Sequence, residues 1–255
     1  MTAYQFASRD GLALTCHESG AGRPLILLHG YMGTGPGWLE VGHAGSIAEQ
    51  GYRLILPTFR GHGQSARPQD PAAYPPDVLA DDGLALIDHL GLGDGDYDLG
   101  GYSLGGRIVV RMLARGARPG RAIVAGQGLA KVSGVQGGGV NGRVLTALID
   151  GLELEPGSPE ARMAAWISQL GADPRALLGV LSSLVPTPEA DLRRITVPTL
   201  VAIGDQDERS DADELAALLP NGQYLRIRGG HGDVFTTPDL VAAITAFLTN
   251  GAAAI

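Results

Sequence analysis

Leu99-Gly-Gly-Tyr-Ser-Leu-Gly-Gly-Arg107 decides how the rest of the chain is read. Within it, Gly101-Tyr102-Ser103-Leu104-Gly105 fits the pattern G-x-S-x-G. A short apolar and aromatic run, Tyr97 to Leu99, precedes it. A helical pattern with Ile108, Val109, Met112 and Leu113 follows. Strand, tight glycine turn and helix, in that order, form a nucleophile elbow. Small residues two before and two after the serine keep strand and helix from colliding at a strained turn. The hydroxyl is then exposed, with the positive end of the helix pointed at it. With 39 glycines in 255 residues, chance produces such a pentapeptide, so its meaning depends on partners elsewhere.

Outward from the elbow, short apolar runs alternate with helical patterns. Residues 11–17 read as an early antiparallel strand carrying Leu12, Leu14 and Cys16. Leu25 to Leu28 and Tyr52 to Pro57 are continuous apolar runs, as in strands buried on both faces of a parallel sheet. Residues 77–90 place Leu79, Leu86, Ile87 and Leu90 on one helical face. Further strands are expected at 121–126, 196–204 and 223–227, with a helix over 211–219. Thr237-Pro238 opens a final helix. The expected fold class is α/β, a mostly parallel central sheet with helices on both faces. Residues 127–190 show helical patterns and no strand pattern. They read as a helical cap insertion, with residues 1–126 and 191–255 forming the core. A pair of ordinary helical crossovers is the simpler alternative. The glycine-rich stretch 134–142 reads as a connection rather than a phosphate cradle, because no strand with G-x-G-x-x-G spacing leads into it.

Composition narrows the function classes. A net charge of −8 without a basic cluster argues against nucleic acid as a partner. A single cysteine, Cys16, excludes an internal disulfide and reads as a buried thiol. The first ten residues lack a basic segment followed by an apolar one, and no run is long enough to span a bilayer. A cytoplasmic protein acting on a small molecule is the expectation. No metal-ligand spacing and no cofactor motif is visible.

A serine hydroxyl needs a base. Of six histidines, His231 follows the last strand in a glycine-flanked loop and is the favoured base. His29 and His62 are rivals, each inside a glycine turn. The base in turn needs an orienting carboxylate. Asp207 is favoured, three residues past the strand-ending Gly204, because its carboxylate can turn back towards the last loop. Asp205 is the alternative, better placed to bond loop amides; Glu208 and Asp233 are outsiders.

The order Ser103, Asp207, His231 resembles that of the α/β-hydrolase superfamily, in its serine-nucleophile, esterase-like branch. The matching stretches are Leu27-Leu-His-Gly-Tyr-Met32, Arg60-Gly-His-Gly-Gln-Ser65, Gly101-Tyr-Ser-Leu-Gly-Gly106, Pro198-Thr-Leu-Val-Ala-Ile-Gly-Asp-Gln-Asp207 and Gly230-His231. The resemblance implies an oxyanion hole from the backbone N–H groups of Tyr31 and Leu104. The side chains of Met32, Tyr102 and Arg107 become candidates for the substrate pocket. It implies a carboxylic-ester hydrolase acting through an acyl-enzyme on Ser103. Residues 127–190, rich in Leu, Val, Ala and Met, suggest an apolar lid. The chain departs from the family where Thr58 and Phe59 stand in place of an aspartate before Arg60. Two alternatives remain open. The run ending in Arg107 also resembles menaquinone-pathway synthases, where an arginine there binds a substrate carboxylate; a surface salt bridge is the plainer role. Lys131, Arg143 and Arg162 would be partner cations. A non-catalytic ligand-binding protein on the same scaffold is the third reading.

Overall fold

The computed structural model describes residues 1–134 and 139–250. Part of the glycine-rich stretch, 135–138, therefore lies outside the described residues. Eight strands form one sheet: β1 (Thr2–Ala7), β2 (Ala13–Gly20), β3 (Arg23–Leu28), β4 (Tyr52–Pro57), β5 (Asp98–Tyr102), β6 (Ala122–Ala125), β7 (Thr199–Gly204) and β8 (Gly222–Ile227). Their spatial order is β1-β2-β4-β3-β5-β6-β7-β8. β2 is antiparallel to both β1 and β4, and every other pairing is parallel. β1 was not visible as a strand in the sequence. Only Phe6 in it is buried, so its apolar alternation is faint.

The continuous apolar runs are buried on both faces, as parallel strands must be. Along β3, Leu25 and Leu27 face one apolar layer, while Ile26 and Leu28 face the other. The first layer is closed by Trp38, Ile47 and the final helix Pro238–Asn250 through Leu240, Val241 and Ile244. The second is closed by helices Val78–His89, Leu104–Ala114 and Ala212–Leu218. The parallel strands all end on one edge, where the loops gather.

Among the described residues between β6 and β7 there are five helices: Leu129–Ser133, Gly139–Asp150, Pro159–Gln169, Pro174–Ser182 and Glu189–Leu192. Val144, Leu145, Ala164, Ile167 and Leu177 from these helices build a third apolar cluster. That cluster also contains Met32 from the loop after β3, which ties the helical segment to the strand ends.

Candidate active site

Ser103 lies between β5 and the helix Leu104–Ala114, with φ 53° and ψ −115°. A left-handed φ is uncommon for a residue with a side chain and is held here by its surroundings. Gly101 and Gly105 make the turn possible. A Cβ on Gly101 would stand 2.3 Å from the Gly105 carbonyl carbon, and one on Gly105 would stand 2.2 Å from the Leu28 carbonyl oxygen. Ser103 N–H donates to the Ala125 carbonyl at 2.8 Å, fixing the turn to β6.

The loops after β7 and β8 are bonded to each other. Asp205 N–H donates to the Ile227 carbonyl at 2.7 Å, and Gln206 N–H to the Gly229 carbonyl at 3.1 Å. This pairing carries Asp207 towards His231. His231 Nε2 stands 2.9 Å from Ser103 Oγ, and His231 Nδ1 stands 2.6 Å from Asp207 Oδ2. Asp205 instead accepts the Gly229 N–H at 2.9 Å. Asp233 accepts the Gly230 N–H at 3.0 Å, and Glu208 is exposed. His231 is not in a loop, as expected from the flanking glycines. It is the first residue of a short helix, His231–Thr236, whose start Asp233 caps.

The other Asp207 oxygen, Oδ1, accepts from the Arg209 backbone N–H at 3.1 Å and from its guanidinium at 2.9 Å. Burial works to raise the Asp207 carboxyl, but the bonds from His231 and Arg209 outweigh it and hold it below the ordinary value. Burial, with the Arg209 charge beside it, pushes His231 below the ordinary histidine value despite the attraction of Asp207. Its imidazole is therefore neutral at neutral pH. Tyr102 supports it from beneath. Their rings stack at 5.3 Å between centroids, and the Tyr102 hydroxyl donates to the His231 carbonyl.

His29 and His62 do different work. Each is fully buried, and burial pushes His29 down to about 3 and His62 down to about 4. His29 Nδ1 is 2.8 Å from the Gly30 carbonyl, and its Nε2 accepts the Phe59 N–H at 3.0 Å. His62 Nδ1 is 3.0 Å from the Arg60 carbonyl, and its Nε2 accepts the Met32 N–H at 3.2 Å. The two imidazoles thus lace the loop after β3 to the loop after β4. Thr58, at the departure from the family pattern, takes part in the same bracing. Its hydroxyl accepts the Gly35 N–H at 3.0 Å.

Two cavities meet at Ser103. One, of about 450 Å³, is bounded by Met32, Val41, Tyr102, Trp166, His231 and Phe235. The other, of about 350 Å³, is bounded by Leu104, Arg107, Gln127, Asn141, Leu184 and Arg209. Tyr31 lines both. Leu104 opens its helix, where the first N–H groups have no intrahelical acceptor. Arg107 is not a surface residue and, among the described residues, has no salt-bridge partner, contrary to the plainer expectation. It is 5% exposed, and its terminal nitrogens donate to the carbonyls of Lys131, Gly134 and Val185. Arg143, a suggested partner cation, lies 3.9 Å from Glu160, and Arg162 bonds the Gly157 carbonyl; neither borders this cavity. The helical segment is also less uniformly apolar towards the site than its composition suggested, because it contributes Lys131 and Asn141.

Sequence reading missed Gln127, Arg209, Gly126 and Trp166. Gln127 Nε2 donates to the Ser103 carbonyl at 2.5 Å. Gly126, at φ 66°, leaves room for the His231 ring, which a Cβ would meet at 3.1 Å. The spacing Asp207-x-Arg209 was an available signal for the arginine. The others depend on contacts between distant segments.

Residues 25–244 match the family model described as "Alpha/beta hydrolase family". The chain belongs to the alpha/beta hydrolase family. Within it, the chain is 30% identical over 255 residues to a Synechocystis sp. relative named after non-heme chloroperoxidases, covering 88% of this chain and 90% of that one. The solved esterase EaEST of Exiguobacterium antarcticum superposes with a TM-score of 0.74 at 22% identity, over 98% of this chain and 99% of that one. The esterase RhEst1 of a Rhodococcus sp. superposes with a TM-score of 0.72 at 25% identity, over 98% and 99%. Among the described residues, no helix is long and apolar enough to cross a membrane.

Proposed function

We propose that this family member is a serine hydrolase cleaving a carboxylic ester of a small molecule. The observation that carries the reading is the unbroken chain from Asp207 Oδ2 through His231 to Ser103 Oγ, at 2.6 and 2.9 Å, on a strained elbow. In this mechanism His231 Nε2 takes the Ser103 proton while Oγ attacks the ester carbonyl carbon. The carbonyl oxygen gains the negative charge, and the N–H groups of Tyr31 and Leu104 stabilise it. His231 returns the proton to the leaving alkoxide as its C–O bond breaks. An acyl-enzyme remains. Water, deprotonated by the same imidazole, then releases the acid and restores Ser103. Asp207 holds the imidazole in the tautomer with Nδ1 protonated and stabilises its cation. Residues 127–190 act as a cap over the entrance. The esterases among its structural relatives support this chemistry, which the shared fold alone does not specify.

A fluorophosphonate probe and short p-nitrophenyl esters test the reading. Wild type is expected to be labelled and to turn over, and Ser103→Ala to do neither. An unlabelled wild type without turnover defeats it. The lyase alternative gains no support from Arg107, whose terminal nitrogens are already taken by three backbone carbonyls.

A further inference from the structure

Ser103 opens onto two chambers of opposite character, and the position of His231 assigns a half of the substrate to each. In the tetrahedral intermediate the carbon bears Ser103 Oγ, the oxyanion, the acyl chain and the leaving oxygen. His231 Nε2 must hand its proton to the leaving oxygen, so that oxygen lies within hydrogen-bond reach of the imidazole. His231 borders the larger chamber and not the smaller. Leu104, the proposed oxyanion donor, borders the smaller and not the larger.

We infer that the leaving group is an apolar alcohol or phenol seated in the larger chamber, and that the acyl group is short and carries a hydrogen-bond acceptor into the smaller. This assignment rests on the ester-hydrolase reading above. The chemistry of each wall supports it. Val41, Trp166 and Leu170, large apolar side chains left 49%, 45% and 46% exposed, gather at the larger chamber. Exposed apolar surface concentrated at one cleft marks a binding surface. The smaller chamber is polar. Arg107 and Gln127, each 5% exposed, stand in its wall beside Asn141 and Arg209; Glu208 is the one carboxylate bordering it among the described residues. Of the buried side-chain atoms in this wall without a hydrogen-bond partner among the described residues, two are donors, the Nε atoms of Arg107 and Arg209, and one is an acceptor, Gln127 Oε1. Buried donors are ordinarily satisfied, and a ligand acceptor reached by small side-chain shifts would satisfy the two donors.

A matrix of esters and variants tests the assignment through kcat/KM. With one acid, lengthening the alcohol from ethyl to hexyl is expected to raise kcat/KM at least about tenfold, from the added apolar burial. Trp166→Ala should remove most of that gain and leave the ranking of acids unchanged. With one alcohol, a methoxyacetyl ester should be preferred over the hexanoyl ester. Leu184→Trp, which narrows the smaller chamber, should depress the bulkier acids and leave the alcohol series intact. Leu181→Phe is the second variant should Leu184→Trp fail to fold, as judged by circular dichroism. The reverse pattern, with Trp166 coupled to the acid and Leu184 to the alcohol, overturns the assignment, as does no coupling in either series. Absence of turnover on every ester, with Ser103 unlabelled by fluorophosphonate, removes the hydrolase reading and the assignment with it; labelling with uncoupled turnover removes the assignment alone.

Discussion

Asp207→Asn is expected to be far more damaging than a one-atom exchange suggests, and the reason lies in Arg209. Asp207 Oδ1 accepts two hydrogen bonds from Arg209, from the backbone N–H and from the guanidinium. An asparagine must therefore place its carbonyl oxygen there, since its amide nitrogen would face two donors. The amide nitrogen is left at the Oδ2 position, 2.6 Å from His231 Nδ1. It donates to Nδ1, which must then be the unprotonated nitrogen. The proton moves to Nε2, which points a donor at Ser103 where an acceptor is needed. The wrong tautomer costs about 10⁴ in kcat, or about 5 kcal/mol of barrier. The assay is kcat on a p-nitrophenyl ester, with thermal melting to show that the fold is kept. Retention of kcat within about tenfold in Asp207→Asn would refute the reasoning, because orientation of the imidazole would then not depend on Asp207.

The pH dependence follows from His231, which burial and Arg209 hold below the ordinary histidine value. Its acid form is inactive as a base, so kcat/KM should fall as pH drops through a midpoint below about 6.5. A pH–rate profile with its acidic midpoint above 7 contradicts this. Gly105→Ala drives a methyl to within 2.2 Å of the Leu28 carbonyl oxygen. Rigid backbone on both sides makes a loss of about 3 kcal/mol and a fall in Tm of roughly 10 °C the expected result, read by calorimetry. Thr58→Val keeps the side-chain shape but strips the Gly35 N–H of its buried acceptor. A cost of about 1–3 kcal/mol is expected in urea unfolding, and an unchanged midpoint would mean that the loop finds another partner.

The fold was legible because strands buried on both faces must be apolar throughout, and Leu25 to Leu28 and Tyr52 to Pro57 are. Thr2–Ala7 pairs at the sheet edge and buries one side chain, so it left no comparable trace. Around Ser103, the position of Asp207, three residues past the strand-ending Gly204, favoured it over Asp205. The structure puts the two carboxylates on different partners, an imidazole and a loop amide. Arg107 was not legible, because nothing local reveals that a cation four residues past the serine will be buried among backbone carbonyls. Neither the meeting of Gln127 with the Ser103 carbonyl nor that of Trp166 with the cavity is written in any local pattern. The first depends on β6 pairing with β5, which sets Gln127 beside Ser103, and the second on the helix Pro159–Gln169 bringing Trp166 to the cavity.

Tyr31 joins two parts of the molecule that could otherwise diverge independently. Its backbone follows Gly30 beside Ser103, and its phenol donates at 2.9 Å to the carbonyl of Leu177 in the helix Pro174–Ser182. Because the phenol grips a main-chain oxygen, any side chain compatible with that helix preserves the link. Recombining the helices between β6 and β7 from other family members onto this core can therefore exchange the cavity lining that Trp166 and Leu170 supply. The register of one turn, the one that presents residue 177, has to be inherited unchanged.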